Sequence, residues 1–176
     1  GAAKMDSLAS RVQNKFSDAL VVHRLDMSTS GLLVLARGEE MQRCLSRLFR
    51  ERGVKKRYVA VVAGRLEAAT GEVNLPLVSD WPNRPRQKVD WASGKSSLTR
   101  YFRLAYDMQM DASRVELQPV TGRTHQLRVH MAAIGHPILG DALYGDPANH
   151  RAERLLLHAR ALSFAHPLSA EPLSLV

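Results

Sequence analysis

The sequence predicts a mixed α/β domain built on a largely antiparallel sheet that is flanked by helices. Along the 176 residues, runs typical of strands outnumber the stretches with helical periodicity. Most connections between these runs are shorter than the roughly dozen residues that a parallel crossover requires. One layered domain, spanning residues 1–176, accounts for both observations.

The first part of the chain predicts a helix followed by two strands. Weak helical periodicity runs over Gly1–Lys15. Apolar runs at Val21–His23 and Leu32–Ala36 are typical of strands, and the small residues of Ser28–Gly31 indicate a turn between them. The polar residues in this turn region would therefore lie at one end of a sheet.

Glu39–Arg52 predicts an amphipathic helix, because its apolar residues recur at spacings of three and four. Glu39 and Glu40 suit the positive end of the helix, and Gly53 suits its C-terminal cap. Cys44 belongs to the apolar stripe, so we interpret it as a small core residue rather than a nucleophile.

The rest of the chain contributes most of the predicted sheet. The strand candidates are Arg57–Ala63, Ser97–Leu104, Ser113–Val120 and Leu155–Phe164, the last as one long strand or a strand pair. Asp80–Arg86 contains two prolines and predicts a loop. Thr124–Ile134 predicts a helix that Gly135 ends.

The charge of the chain suggests a polyanionic partner, with nucleic acid as the first candidate. The net charge is +8, which suggests a polyanion, although a merely basic enzyme would also fit. No run approaches the roughly 20 apolar residues of a membrane span. Cys44 is the single cysteine and cannot form an internal disulfide, which fits the cytoplasm. The cations that we expect to bind phosphate are Arg50, Lys55, Lys56, Arg84, Arg86 and Arg128.

Two polar segments and the start of one strand hold the three candidate catalytic residues. Asp26 ends an apolar run, where it could act as a partly dehydrated nucleophile or base, or could simply cap a turn. Arg123 sits at a predicted strand-to-helix corner, from which it could pair with a carboxylate or face solvent. Tyr58 starts a strand, where it could contact a nucleobase or pack as an ordinary strand tyrosine.

Metal and nucleotide cofactors are not expected. His125 and His130 are five residues apart on a predicted helix, whereas paired zinc ligands prefer a step of four. No glycine-rich phosphate loop precedes a helix. A metal-dependent nuclease that uses His23, Asp26 and His125 nevertheless remains an alternative.

Five segments, in one order, resemble the RluA-type pseudouridine synthases. They are His23–Asp26 with Thr29–Leu33, Lys56–Ala60, Gly122–His130, Gly135–Asp141 and Leu156–Ala159. The segment Asp80–Val89 resembles the branch that modifies a uridine in transfer RNA anticodon arms and another in 23S ribosomal RNA. The resemblance implies the pseudouridine synthase fold with a central cleft, no cofactor, an RNA partner and a cytoplasmic monomer.

The same resemblance implies residue roles. Asp26 would be the catalytic aspartate, Arg123 would pair with it, and Tyr58 would lie against the base and help to remove its C5 proton. Leu127 would belong to the apolar wall beside the base, and Arg24 would fill the gap left by a flipped nucleotide. We expect the chain to lack the family's N-terminal strand segment and its extreme C-terminus, so a catalytically impaired RNA-binding fragment is the alternative.

Overall fold

In a computed structural model of the protein, which describes residues 6–145 and 152–176, seven strands form one sheet. Six of them follow the order β11 (Pro172–Leu175), β10 (Leu157–Ala165), β4 (Lys55–Ala63), β9 (Ala112–Pro119), β8 (Leu98–Asp107) and β5 (Thr70–Asn74). All neighbours in this order are antiparallel. A short seventh strand, β2 (Ser30–Gly31), runs parallel to β10. The predicted mixed, largely antiparallel sheet is thus confirmed.

Smaller elements surround this sheet. They are the antiparallel pair β1 (Ala19–Val21) and β3 (Leu35–Arg37), the hairpin strands β6 (Leu77–Ser79) and β7 (Gln87–Val89), and the helices α1 (Leu8–Lys15), α2 (Gly38–Arg50) and α3 (Gln126–Ala133). None of the helices in the described part of the chain has the length and apolar content that a membrane span requires.

The polar segment after β1 is a loop rather than a strand end. Val22 and His23, predicted as strand, lie outside the regular strands. The β1–β3 pair consists of only three residue pairs. The backbone then follows a different partner, because β2 pairs with β10 and the Leu32 N–H donates to the Ala159 carbonyl. Because of this change of partner, residues 22–29 form no regular strand pairing and make up a loop between β1 and β2.

Helix α2 ends two residues earlier than predicted. Arg52, not Gly53, adopts the left-handed conformation, with φ 63°. The Gly53 N–H then donates to the Leu48 carbonyl at 2.8 Å. Gly53 therefore contributes a backbone donor to the helix end rather than the positive φ that the sequence suggested. Cys44 is half-buried on this helix.

Two hydrophobic clusters lie on the same face of the sheet. Alternation along β4 places Lys56, Tyr58, Ala60 and Val62 on one side, and Val54, just before the strand, continues this face. Val54 belongs to the cluster under α2, whereas Ala60 and Val62 belong to the cluster under α3. Lys56 and Tyr58 lie between the two clusters, so this stretch of β4 forms the floor of a cleft.

Helix α3 is buried on every side, unlike the one-sided helix that the sequence suggested. Its first six residues, Gln126–Met131, are all buried. The polar members of that run are satisfied by hydrogen bonds to neighbouring strands and loops. Because the start of α3 lies beside the cleft floor, its buried polar side chains can reach the cleft.

The predicted loop Asp80–Arg86 is the connection of the β6–β7 hairpin. It contains a short 3₁₀ helix, Trp81–Asn83. The Asp80 N–H donates to the Arg86 carbonyl at 3.0 Å, which closes the connection at its base. The hairpin thus projects two exposed arginines, Arg84 and Arg86, beside α3.

Candidate active site

Asp26 lies in the loop between β1 and β2, at the mouth of the cleft. The Thr29 N–H donates to the Asp26 carbonyl at 2.9 Å, so a turn follows the aspartate. On the upstream side, the His23 ring stacks on Phe49 at 4.2 Å, and its Nε2 accepts a hydrogen bond from the Val34 N–H. The loop is therefore held on both sides of Asp26, whose side chain is only 19% exposed.

Two nitrogen groups face the two oxygens of Asp26. An Arg128 guanidinium nitrogen is 3.8 Å from Oδ2, and His125 Nε2 is 3.9 Å from Oδ1. Both distances are too long for hydrogen bonds. The Arg128 charge attracts the Asp26 carboxylate at this range, whereas a neutral His125 ring attracts it only through an N–H that points at it. Because all three side chains are largely shielded from water, the attraction is stronger than it would be at the surface.

Arg128 is held in place by Asp141. Its Nε donates to Asp141 Oδ2 at 2.8 Å, and its terminal nitrogen donates to Oδ1 at 2.6 Å. Burial opposes ionisation of Asp141, but hydrogen bonds from Arg128 and from the Leu143 N–H outweigh it and hold the Asp141 pKa below its usual range. Arg128 is therefore an oriented cation between two carboxylates.

Tyr58 lies on the cleft floor, close enough to Asp26 for the two side chains to interact electrostatically. Burial raises the pKa of the Tyr58 phenol to about 12, and the negative charge of Asp26 acts in the same direction. Lys56, two residues earlier on the same face, has a lowered pKa, mainly because of burial and also because Arg52 repels its charge. The floor thus presents one neutral hydroxyl and one partly dehydrated amine.

These groups line one pocket of about 410 Å³. That volume lies within the ~300–1,000 Å³ range of small-molecule sites. Of the residues proposed from the sequence, the pocket is lined by Arg24, Asp26, Arg50, Lys56, Tyr58, Arg123, Leu127 and Arg128. Asp26 is the only carboxylate among the described residues that line it. A single acid facing cations and a phenol suits base or nucleophile chemistry without a paired acid.

The sequence profile of one protein family, described as RNA pseudouridylate synthase, matches residues 4–133. The chain belongs to the RNA pseudouridylate synthase family.

Two bacterial relatives of this synthase are each named dual-specificity RNA pseudouridine synthase RluA. The Yersinia pestis protein is 52% identical over 169 residues, covering 96% of this chain and 82% of that protein. The Escherichia coli (strain K12) protein is 52% identical over 163 residues, covering 92% of this chain and 74% of that protein. The chain is an RluA-type RNA pseudouridine synthase, as the sequence motifs predicted.

Solved structures agree with this assignment. The protein titled Human RNA Pseudouridylate Synthase Domain Containing 1 matches with a TM-score of 0.84 and 32% identity, covering 96% of this chain and 72% of that one. Human RNA Pseudouridylate Synthase Domain Containing 4 matches with a TM-score of 0.77 and 30% identity, covering 96% and 75%. The fold of the synthase is therefore shared well beyond bacterial relatives.

The predicted pairing of Arg123 with Asp26 is wrong in this structure. Arg123 lines the pocket, but its Nε and one terminal nitrogen each lie 3.4 Å from the Ser96 carbonyl oxygen. The physical reason is that the Arg123 side chain lies against the Ser96 carbonyl, whereas Asp141 holds the Arg128 guanidinium beside Asp26. Helix α3 begins at Gln126 rather than at the predicted Thr124. The Arg123 N–H donates to Gln126 Oε1, which keeps Arg123 outside the helix, whereas Arg128 lies inside it.

Three of the predicted phosphate-binding cations do not line the pocket. Lys55 precedes Lys56 on β4 and therefore points to the opposite face of the sheet. Arg84 lies over the Trp81 ring at 3.2 Å, and Arg86 lies 5.5 Å from the Tyr144 ring centre. All three are exposed, so they remain available to RNA outside the pocket.

The sequence analysis missed Asp141 and Tyr144 as site residues. They are three residues apart, and Asp141 Oδ1 accepts the Leu143 and Tyr144 N–H groups, which shapes the turn that contains them. Their spacing is a weak turn signal at best. Only the tertiary contact with α3 shows that they support Arg128 and His125.

The three residues of the nuclease alternative do not form a metal-binding cluster. Within residues 6–145 and 152–176, no group of three or more His, Cys, Asp or Glu side chains is arranged to hold a metal ion. His125 faces Asp26, but the Nε2 atom of His23 is already bonded to the Val34 N–H. The geometry therefore gives no support to that alternative.

Proposed function

We propose that Asp26 is the catalytic carboxylate of this synthase and that Arg128 pairs with it and fixes its orientation. The observation that carries the proposal is that Asp26 is the single carboxylate among the described pocket-lining residues. The ion pair at 3.8 Å supports the role of Arg128, because a buried cation fixed by Asp141 cannot turn away to solvent.

The reaction requires the uracil to leave the ribose through N1, to rotate, and to reattach through C5. Asp26 starts it in one of two ways, by attack on the sugar carbon C1′ or by removal of the C2′ proton to give a glycal. In the first route the carboxylate forms an ester to C1′ as the C1′–N1 bond breaks. In the second the electrons of the C2′–H bond expel the base.

Tyr58 is proposed to contact the detached uracil and to help remove the C5 proton in the last step. Its position on the cleft floor supports this role, because a phenol there is within reach of a base held in the pocket and can relay a proton from it. Leu127, buried at the start of α3, would supply apolar contact to the base. Arg24, exposed at the pocket mouth, would take the space of the flipped nucleotide.

The RNA is proposed to be a transfer RNA anticodon arm, a 23S ribosomal RNA hairpin, or both, bound by a cytoplasmic monomer. The names of the bacterial relatives support dual specificity. The net charge of +8 supports binding to phosphates. Arg50, Lys56 and Arg123 surround the pocket, while Lys55, Arg84 and Arg86 lie outside it, so both sets can contact the backbone of a folded RNA.

The decisive experiment compares Asp26→Asn with the wild type in a single-turnover assay that counts pseudouridine in each RNA. We expect no product from the variant and unchanged RNA affinity. Glu51→Gln is the matched control, because Glu51 is an exposed acid just after α2 and outside the pocket lining. Near-normal product formation by Asp26→Asn would reject the assignment, and binding without product by the wild type would favour an impaired fragment.

A further inference from the structure

His125 stands between the candidate catalytic aspartate and a tyrosine from a distant loop. Its side chain is 10% exposed, and its backbone is left-handed, with φ 54° and ψ 16°. Nε2 lies 3.9 Å from Asp26 Oδ1, and Nδ1 lies 2.8 Å from the Tyr144 hydroxyl oxygen. The two ring nitrogens therefore face different partners, and the position of the ring proton decides what each partner meets.

The hydrogen bonds around Tyr144 set the direction of donation. The Gln87 backbone N–H, on β7, donates to the Tyr144 hydroxyl oxygen at 2.7 Å. The hydroxyl has one proton of its own, and His125 Nδ1 is the acceptor within reach. Donation to Nδ1 leaves the proton of a neutral imidazole on Nε2, where it faces the Asp26 carboxylate.

The opposite tautomer is electrostatically unfavourable. With the proton on Nδ1, the bare lone pair of Nε2 would point at the negatively charged Asp26. A doubly protonated ring is also disfavoured, since burial lowers the pKa of His125 and the Arg128 and Arg24 charges act in the same direction, against the attraction of Asp26 and Asp141. The chain of donors therefore runs in one direction, from Gln87 through Tyr144 and His125 to Asp26.

We propose that Tyr144 is a positioning residue that selects the Nε2–H tautomer of His125, which thereby presents a hydrogen-bond donor to the Asp26 carboxylate. The inference rests on the proposed catalytic role of Asp26. It assigns each oxygen its own partner, Arg128 at Oδ2 and His125 at Oδ1, which fixes the rotation of the carboxylate. The distance of 3.9 Å leaves room for the donor to close when a uridine fills the pocket.

One loop supports both partners of Asp26. Asp141 holds Arg128 through two hydrogen bonds, and its Oδ1 also accepts the Tyr144 N–H at 3.1 Å. The turn that anchors the cation therefore also aims the tyrosine at His125. The chain of donors begins at the Gln87 backbone N–H on β7. The position of the β6–β7 hairpin therefore also affects how Tyr144 and His125 are oriented.

Two substitutions of His125 separate its donor from its backbone role. In His125→Gln the side-chain amide nitrogen can occupy the place of Nε2, whereas in His125→Asn the shorter amide reaches only the place of Nδ1. A left-handed backbone favours Asn over Gln. A purely structural role thus predicts that Asn is the better replacement, and the proposed donor role predicts that Gln is.

We expect His125→Gln to keep most of the wild-type single-turnover rate and His125→Asn to lose about 100-fold, the usual cost of one positioned donor. Thermal stability should follow the opposite order. RNA affinity should not change in either variant. Equal rates, or a faster His125→Asn, would overturn the proposal.

Nitrogen-15 NMR of the ring tests the tautomer without any turnover. In the wild-type protein the His125 signals, assigned by their absence in His125→Gln, should show a bare Nδ1 and a protonated Nε2. Tyr144→Phe keeps the ring but removes the hydroxyl, so it should mix the tautomers and lower kcat with little change in KM. A protonated Nδ1 in the wild type would refute the inference even if Asp26→Asn is inactive. An active Asp26→Asn would instead refute the proposed function.

Discussion

Asp141→Asn is expected to destabilise the protein strongly, because the Arg128–Asp141 pair is almost completely dehydrated. The side chains are 4% and 0% exposed. Asp141 Oδ1 accepts three N–H groups, and Oδ2 accepts Arg128 Nε at 2.8 Å. An asparagine can keep its oxygen at the first position, so its amide nitrogen must then face the Arg128 Nε–H, donor against donor.

The expected loss in the free energy of unfolding follows from these contacts. One charge-assisted hydrogen bond is lost, and the buried guanidinium keeps only the negative charge of Asp26, which lies 3.8 Å away and is not hydrogen-bonded to it. Breaking a buried pair by removing one partner typically costs about 3–5 kcal/mol. Because the three bonds at Oδ1 survive, we expect a value near the lower end, about 3 kcal/mol. That corresponds to a fall in Tm of roughly 6–12 °C for a domain of this size.

Glu72→Gln is the matched control. Arg100 Nε donates to Glu72 Oε1 at 2.8 Å, the same length as the Arg128–Asp141 bond, but both side chains are about half exposed. Exposed ion pairs contribute roughly 0–1 kcal/mol. Urea denaturation of both variants, followed by circular dichroism at one pH and salt concentration, measures the two losses. Equal losses would show that burial does not set the strength of the Arg128–Asp141 pair.

Three further predictions concern pH, packing and charge. Burial, with help from the charge of Lys56, lowers the pKa of His23 to about 4, so the unfolded chain takes up a proton at His23 before the folded protein does as the pH falls below about 6.5. The free energy of unfolding should therefore drop by about 2 kcal/mol between about pH 6.5 and 4, after allowance for partial exposure. This drop should be absent in His23→Gln, and a flat profile of urea stability against pH in the wild type would contradict the prediction. Gly31→Ala should lower the free energy of unfolding by at least about 3 kcal/mol, because Gly31 has φ 112° and an added Cβ would overlap the Ala159 carbonyl oxygen. Gly38→Ala should cost only about 1 kcal/mol, because Gly38 also has a positive φ but has open space around it. Similar melting temperatures of the two variants would refute this prediction. Arg50→Ala should reduce the slope of log affinity against log salt by about 1, and an unchanged slope would mean that Arg50 contacts no phosphate.

Local patterns were enough to predict the elements that carry their own periodicity. The i, i+3, i+4 pattern of Met41, Leu45 and Leu48 predicted α2, and the β-rich run Arg57–Ala63, closed by Gly64, predicted β4. Several strands that the sequence analysis missed are short, and two of them, β5 and β7, are largely polar. β5 forms because it pairs with the longer strand β8, and β7 forms because it pairs with β6 in a hairpin. The residues of β5 and β7 do not themselves indicate these partners.

The partner of Asp26 illustrates the same limit at the site. Arg123 stands next to a glycine at a strand end, which is where sequence reasoning expects a reaching arginine. Arg128 looks like one more charged residue on a helix. The two arginines differ because Arg128 has a buried counter-charge in Asp141, 13 residues after it in the sequence. Nothing in the local sequence around either arginine indicates this contact.

The polar side chains of α3 explain why the site depends on the whole domain. Gln126 Nε2 donates to Thr99 Oγ1, whose hydroxyl can then donate to His130 Nδ1, while His130 Nε2 donates to the Leu75 carbonyl. These three bonds join α3 to residues at least 27 positions away, so α3 cannot shift along its axis without leaving several donors and acceptors unpaired. Arg128 inherits that precision because it lies between Gln126 and His130. The cation that faces Asp26 therefore reaches its place only when the strands of the sheet and α3 have assembled.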